Sequence, residues 1–390
     1  MEMALTTPQT NNKLVKYRKE IVREFFRENP FSPYMGEDMT SIIRTLNDLK
    51  AGGEQINIPI VTRLQGTGKS TGTLTDNEEQ IDNYGMRAYI DWSRNSVATN
   101  EANKQKDSAD IFGEAKPLLS DWQKEKHRDE IIAAMMALPS ESAPANLGSD
   151  EGQCVNGILY ADATATQKNT WTSDNSDRVL FGNALGNYSS THATALGNVD
   201  TSADTFTTTS IELLKYVAKR ANPRIRPFQT KKGGARQYYV AFCGSNNFRQ
   251  ISASLQSIDI AARPREGSGM DDNPIYQDGD LLYKGVIIHE VPEIDDFVDN
   301  VWTTLLTAGN SSSRVAPVFL CGQSAVAFPW GQMTVPTFRE TTDYQFVEGV
   351  GIKSAYGLAK IFKKHPINTG GTKLVQFGMV TGFFSAANPS

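Results

Sequence analysis

Between Ile56 and Trp92 the hydrophobic period of the chain is two, and this constrains the fold more than any other stretch. Ile56, Ile58 and Ile60 alternate with Asn57, Pro59 and Val61, as in a strand, where successive side chains leave opposite faces. Tyr84, Met86, Ala88, Ile90 and Trp92 alternate again after a segment rich in Gly, Thr and charge from Gln65 to Asn83. Two such strands around a long polar connection predict a protruding hairpin. Pro59 has no N–H for a ladder, so its strand belongs at an edge. Isolated hairpins are marginal in water. Neighbouring molecules are therefore expected to cover what one chain leaves bare.

Helical spacing flanks this hairpin. Residues 1–11 are polar. From Asn12 to Glu28, Leu14, Tyr17, Ile21, Val22, Phe25 and Phe26 share one face, with alternating charges on the other. Asn29-Pro30-Phe31-Ser32-Pro33 ends that helix, because the residue before a proline is driven out of helical geometry. Residues 1–33 read as an arm that docks on its own body or on a neighbour. A short helix is expected over Asp38–Leu49, followed by the turn Gly52-Gly53. A long helical pattern runs from Ser108 to Leu138, with one stripe of Ile111, Ala115, Leu118, Leu119 and Trp122 and another of Ile131, Ile132, Met135 and Met136. Unbroken, it would span about 46 Å. Pro117 predicts either a kink or the first turn of a second helix.

Residues 139–209 are rich in Ser, Thr, Asn, Ala and Gly, with Lys168 and Arg178 as the basic residues. They read as a polar surface insertion with short ordered pieces near Ile158–Tyr160 and Val179–Phe181. Beyond them the pattern is mixed. Helices are expected at Ser210–Ala221 and Asn246–Leu255, and strands at Gln237–Cys243, Gly285–Val291, Pro317–Cys321, Gly351–Phe362 and Lys373–Phe384. Helices among mostly antiparallel-looking strands predict an α+β fold.

Composition narrows the function classes. The 390 residues carry a net charge of −5, which argues against a globally basic nucleic-acid coat. No apolar run approaches the ~20 residues of a membrane helix, and no membrane partner or secretory leader is expected. Cys154, Cys243 and Cys321 form no CxxC pair, so buried free thiols are expected instead of a disulfide or zinc framework.

No motif carries chemistry convincingly. Gly66-Thr67-Gly68-Lys69-Ser70-Thr71 resembles the end of a phosphate-binding loop, but Arg63 stands where its first glycine belongs and the following residues start a helix poorly. His127 lies in a charged helical run and reads as solvated. His289 lacks the second histidine of a zincin, and neither His192 nor His365 has a plausible Cys or Ser partner near it in sequence. Asp271, Asp272, Asp278 and Asp280 read as a solvated acidic loop, as do Glu293, Asp295, Asp296 and Asp299. No catalytic residue, cofactor or metal is expected. Lys215, Lys219, Arg220, Arg224, Arg226, Lys231, Lys232 and Arg236 form a basic strip followed by Tyr238 and Tyr239. Such a strip suits nucleic-acid phosphates or a neighbour's acidic surface, and the acidic chain favours the latter.

The order of these parts resembles the HK97-like capsid fold, and within it the podovirus-type major capsid proteins of tailed bacteriophages. Ile56-Asn57-Ile58-Pro59-Ile60-Val61-Thr62-Arg63-Leu64-Gln65-Gly66 is similar to the first strand of that family's extended loop. Leu74, Asn77-Glu78-Glu79, Asn83-Tyr84, Ile90-Asp91 and Arg94-Asn95 are similar to its return. Ala115 and Leu119-Ser120-Asp121-Trp122 resemble its spine helix. Asn273-Pro274-Ile275-Tyr276, Gly285-Val286-Ile287-Ile288-His289-Glu290, Gly322-Gln323-Ser324-Ala325, Asp343-Tyr344 and Gly349-Val350-Gly351-Ile352-Lys353 resemble later blocks.

The resemblance implies an N-terminal arm (1–33), an extended-loop region with a lead-in helix (34–98), a peripheral-domain spine helix (99–139), a mainly axial domain (210–345) and return strands to the peripheral domain (346–390), with Pro117 in the spine and the polar insertion (140–209) as departures from the family's pattern. It implies self-assembly into pentamers and hexamers of an icosahedral virion shell around double-stranded DNA, which its inner surface contacts non-specifically. Assembly would take place in the host bacterial cytoplasm with a scaffolding protein, a portal and decoration proteins as partners. Arg63, Lys69, Glu78, Glu79 and Arg94 are the candidate assembly residues, as inter-subunit charge pairs. The rival readings are an encapsulin-like cellular compartment, a phosphate-loop enzyme centred on Lys69 and a tail or surface-binding virion protein.

Overall fold

The structure is a computed structural model that describes residues 29–61, 68–71, 73–75, 78, 83–106, 111–149, 152–229, 237–262, 280–338, 344, 346–366 and 372–388. The expected helix at Asn12–Glu28 lies outside the described residues. Two units form. The smaller holds 94–125 and 334–353, and the larger holds 29–93, 126–333 and 354–390.

The first strands are β1 (Met35–Gly36) and β2 (Ile43–Leu46), paired in parallel. The helix expected over Asp38–Leu49 does not form; helical geometry there is confined to a 3-10 turn, Asp48–Ala51. Ile42 and Ile43 are buried, and Ile43 also pairs with Val326. Sheet pairing on both sides of this segment overrides its weak local preference.

Strands β3 (Gln55–Val61) and β4 (Asn83–Tyr89) pair antiparallel from Gln55↔Tyr89 to Val61↔Asn83 and join no other described strand. Pro59 is thus in an edge strand, as its missing N–H requires. The cover of this hairpin differs from expectation. Ile58, Ile60, Met86 and Ala88 are buried against Leu46, Ala327, Ile361 and Phe362 of the same chain. The fold therefore shields one face internally, while Gln55, Asn57, Pro59 and Val61 stay exposed.

The alternation then inverts. In β5 (Asp91–Asn100) the polar Asp91 and Ser93 are buried, and Trp92 is 50% exposed. Helix α1 (Glu101–Lys106) follows, then a 3-10 turn at Ile111–Glu114 and α2 (Ala115–Met136). Pro117 lies in the first turn of α2, where its missing N–H costs no helical bond. The long helical pattern is thus divided before Pro117, and the 22 residues of α2 span about 33 Å. Within the smaller unit, Leu119 and Trp122 pack with Val350 and Ile352. Leu118, expected on that stripe, is exposed instead. Within the larger unit, Ile131, Ile132, Met135 and Met136 are fully buried.

The segment 140–209 is not a surface insertion. It forms α3 (Ala165–Asp174), β6 (Val179–Phe181) and α4 (His192–Gly197), and Trp171, Phe181 and His192 are core residues. Its polar residues satisfy backbone groups in tight connections. Thr164 and Gln167 form a capping box on α3. The buried Asp204 carboxylate accepts from the backbone of Asn183 at 2.6 Å and of Asp200 at 2.8 Å. A Ser/Thr/Asn-rich composition here reflects internal hydrogen bonding.

The remaining elements are α5 (Thr208–Arg220), β7 (Phe228–Gln229), β8 (Gln237–Cys243), α6 (Ser245–Ala262), β9 (Asp280–Tyr283), β10 (Val286–Glu290), α7 (Glu293–Asn300), β11 (Val315–Cys321), β12 (Val326–Phe338), β13 (Val347–Tyr356), β14 (Ala359–Lys360), β15 (Phe362–Pro366), β16 (Thr372–Gln376) and β17 (Met379–Ser385). One sheet has the order β1-β2-β12-β13-β5, with β14 on β12. The other is β6-β17-β11-β8-β10-β9, with β7 on β8.

The second sheet is a sandwich centre. Val240, Phe242, Phe319 and Phe383 face one core with Ile294 and Val298 of α7. Ala241, Cys243, Val318 and Leu320 face the other with Ile211, Leu214 and Val217 of α5 and Ile251 of α6. Helices α5 and α7 therefore cover opposite faces of one sheet.

Burial also corrects the solvated acidic reading at Glu293 and Asp295, while Asp296 and Asp299 are exposed as expected. These residues form α7, where Arg128 meets Glu293 at 3.1 Å, and Arg314 meets Asp295 at 3.2 Å and Asp299 at 2.9 Å. Asp271, Asp272 and Asp278 lie outside the described residues, as does the side chain of Asp280.

Candidate assembly interface

The loop between β3 and β4 was the expected contact element. Lys69 and Glu78 are exposed on it, and Leu74 stands 67% exposed between them in sequence. Arg94, in the smaller unit, is exposed on β5. Arg63 and Glu79 lie outside the described residues, as do Lys231, Lys232 and Arg236 of the basic strip. The described part of the Gly-Lys-Ser segment, Gly68–Thr71, is not helical, and among the described residues the next regular element is strand β4. A phosphate loop needs a helix whose N-terminal amides complete the anion site, so the geometry does not support a nucleotide site at Lys69.

The smaller unit carries a second set of candidates. Among its described residues Val97, Leu118, Val335, Tyr344 and Phe346 are exposed, while only Leu119, Val350 and Ile352 are buried as large apolar side chains. Exposed apolar side chains of this kind are a property of association surfaces. Within it the Glu101 N–H donates to the Phe346 carbonyl at 2.9 Å, and Lys104 pairs with Glu348. These contacts tie α1 to the start of β13.

Sequence reading missed these residues. Leu118 stands beside Leu119, and a helix of 3.6 residues per turn cannot bury both equally on a narrow stripe. That phase mismatch was the available signal. Val97 and Val335 carry no such signal, because β-branched residues suit any strand.

The titratable groups of the larger unit are structural. His127, expected to be solvated, lies edge-on to Phe328, Trp330 and Tyr356 with ring centroids 5.7, 5.4 and 4.6 Å away. Burial, and then the Lys126 charge, push its pKa down to about 4. His192 is held between the Thr172 hydroxyl at 2.8 Å and the Tyr160 hydroxyl at 2.9 Å. Burial pushes it down to about 3, with a further push from Lys168. Cys154, Cys243 and Cys321 are buried free thiols, as expected, and burial pushes all three upward. Among the described residues no group of His, Cys, Asp and Glu has a metal-binding arrangement, and no helix is long and apolar enough to cross a membrane.

Comparison with known proteins places this architecture. A family model described as phage capsid protein matches residues 6–382. The capsid asymmetric unit of cyanophage Pam1 is similar at 31% identity and a TM-score of 0.84, over 99% of this chain and 100% of that one. The capsid of Ralstonia phage GP4 shares the fold at 17% identity and a TM-score of 0.67, over 99% and 100% of the two chains. The head structure of Helicobacter pylori bacteriophage KHP40 shares it at 14% identity and a TM-score of 0.61, over 97% and 96%. A search of curated proteins finds no match. None of these comparisons supports a cellular compartment, a phosphate-loop enzyme or a tail protein. With a family model spanning almost the whole sequence and a capsid subunit aligned from end to end, this chain belongs to the phage capsid protein family, as a structural major capsid protein of the virion shell with the HK97-like fold.

Proposed function

We propose that this chain builds an icosahedral shell from pentamers and hexamers, around packaged double-stranded DNA, and catalyses no reaction. One observation carries this reading furthest: the smaller unit exposes Val97, Leu118, Val335, Tyr344 and Phe346 while burying few large apolar residues. Neighbouring subunits supply the missing cover. Residues 34–98 act as the extended-loop region, 99–139 and 346–390 as parts of a peripheral domain, and 210–345 as a mainly axial one. The arm, 1–33, docks on an adjacent subunit. Many simultaneous weak contacts then hold the shell, since linked contacts multiply in strength.

At the loop, Arg63, Lys69, Glu78, Glu79 and Arg94 pair with charges on neighbours. Assembly takes place in the host cytoplasm, assisted by a scaffolding protein and a portal, with decoration proteins added outside and DNA phosphates met non-specifically inside.

Expression of the chain followed by negative-stain imaging tests the reading, with closed shells as the expected result. Glu78→Lys with Glu79→Lys is expected to lower or misdirect particle yield. Wild-type yield from that double variant removes the loop pairs, and absence of closed shells from the native chain, with or without co-expressed scaffold, removes the whole reading.

A further inference from the structure

We propose that the cationic outer face of α5 in one copy of this chain docks head-to-tail on the acidic outer face of α7 in the next copy. The proposal rests on the self-assembly reading and names the surfaces that meet.

The α5 side combines charge with a groove. Lys219, Arg220, Arg224 and Arg226 are exposed. Glu212 is the only carboxylate in α5, and it is already taken by Lys284 at 2.5 Å and the Tyr283 hydroxyl at 2.9 Å. At Arg220 this surface opens into a groove of about 460 Å³, lined by Leu185, Tyr188, Tyr216, Val217 and Arg220. Leu185 is 53% and Tyr216 45% exposed. Tyr216 and Arg220 belong to both features, since the Arg220 guanidinium donates to the Tyr216 hydroxyl at 2.6 Å. The occupant must therefore be negatively charged and must also carry an apolar anchor.

The opposite face of the same sheet offers that combination. Around α7, Glu293 and Asp295 are buried against the guanidiniums of Arg128 and Arg314, which Asp129 and Asp299 share, and the exposed Asp296 and Asp299 carry the outward-facing charge of the helix. The surplus is negative. Val301, directly after the helix, is 46% exposed. A charged rim around one apolar contact suits a selective interface.

Because the two surfaces lie on opposite faces of one sheet, they cannot pair isologously. They pair head-to-tail, and such contacts close into rings when the rotation per copy allows. A DNA backbone would satisfy the cations but would leave the Leu185–Tyr216 groove unused, so a protein occupant fits the surface better.

Two double variants of the full chain test this: Lys219→Glu with Arg220→Glu, and Asp296→Lys with Asn300→Lys. Each is expected to lower the assembled fraction in sedimentation about tenfold. The chain carrying all four substitutions is expected to return to within about twofold of wild type, because the charges are then exchanged. Unchanged assembly in both double variants, or no recovery in the combined chain, overturns the proposal. Loss of short-duplex DNA binding on Lys219→Glu with Arg220→Glu, without loss of assembly, also overturns it and marks the patch as a nucleic-acid surface.

If a charge variant fails to fold, Arg220→Cys with Val301→Cys decides. Mild oxidation should give a ladder of linked copies on a non-reducing gel. Shells without a ladder sink this proposal alone. A ladder without closed shells sinks the icosahedral reading alone.

Discussion

The side-chain amide of Asn156 grips the backbone of Tyr89 from both sides. Its Oδ1 accepts from the Tyr89 N–H at 2.9 Å, and its Nδ2 donates to the Tyr89 carbonyl at 2.9 Å and to the Leu358 carbonyl at 3.2 Å. Tyr89 pairs with Gln55 at the root of the extended hairpin. A residue of the polar segment 140–209 thus anchors the loop expected to join subunits. Asn156→Leu leaves the Tyr89 N–H and carbonyl without these partners in a buried site, while the Leu358 carbonyl keeps the Asn156 backbone N–H at 2.6 Å, at a cost of roughly 2–3 kcal/mol. Urea unfolding measures it, and a loss below about 0.5 kcal/mol would show that the clamp is incidental.

Gly357 makes the same region intolerant of volume. A Cβ there would sit 2.1 Å from the Tyr89 carbonyl oxygen and 3.2 Å from Asn156 Nδ2. Backbone cannot rotate away as a flexible side chain can, so Gly357→Ala must displace the hairpin root. The expected destabilisation is about 2 kcal/mol or more, with a matching fall in particle yield. Gly186→Ala serves as the control, because a Cβ at Gly186 meets nothing within 4 Å. Equal melting temperatures for the two variants would remove the steric explanation.

Acid sensitivity follows from two neighbours of opposite sign. His127 has its pKa pushed down to about 4 from an ordinary 6.5. The unfolded chain binds more protons in that interval, so this contribution is present above pH 6.5 and lost as pH falls through about 4. Glu130 is pushed up to about 7 from 4.5, chiefly by burial and against the hydrogen bond from Tyr356 at 2.6 Å. The folded chain holds that proton, so its contribution is present below pH 4.5 and lost as pH rises through about 7. The two partly cancel between about pH 4.5 and 6.5. Glu130→Gln should therefore steepen the loss of stability on acidification. Urea midpoints from pH 4 to 8 that run parallel to wild type would contradict this.

Lys360 predicts the alkaline behaviour. It is fully enclosed, with Nζ 3.4 Å from Gln376 Oε1 and 5.4 Å from the centre of the Trp171 ring. Burial pushes its pKa down to about 7 from 10.5. Between these values the unfolded chain binds the extra proton, so this group adds stability as pH rises from about 7 to 10.5. The buried thiols of Cys154 and Cys321, pushed up to about 12, act with the opposite sign above pH 9. The test is therefore the difference between Lys360→Met and wild type in thermal melts from pH 7 to 10. The variant's advantage is expected to be largest at pH 7 and to shrink as pH rises. A constant difference would place the Lys360 charge elsewhere.

Much of this fold was legible without coordinates, wherever one local period coincided with one buried face. The hairpin strands around Ile58 and Met86, helix α5 with Ile211, Leu214 and Val217, and strands β8, β10 and β11 all read correctly for that reason. The ordered blocks from Ile56 to Lys353 also carried the capsid resemblance, and Lys69, Glu78 and Arg94 were recognisable as exposed charges. Other features depended on partners far away in sequence. Ile43 became a strand because Val326 pairs with it, and His127 left water because Phe328, Trp330 and Tyr356 surround it. Asn156 and Asp204 turned a solvent-like composition into interior hydrogen bonding. Leu118, Tyr216 and Val301 look like core residues in the sequence, because the hydrophobic effect favours burying them but does not say against what. Periodicity alone determined which residues needed cover and roughly where the hairpin and helices lie. Only the tertiary structure decided which of them the chain covers itself and which remain for another copy, since that depends on the finite area each neighbouring element can bury.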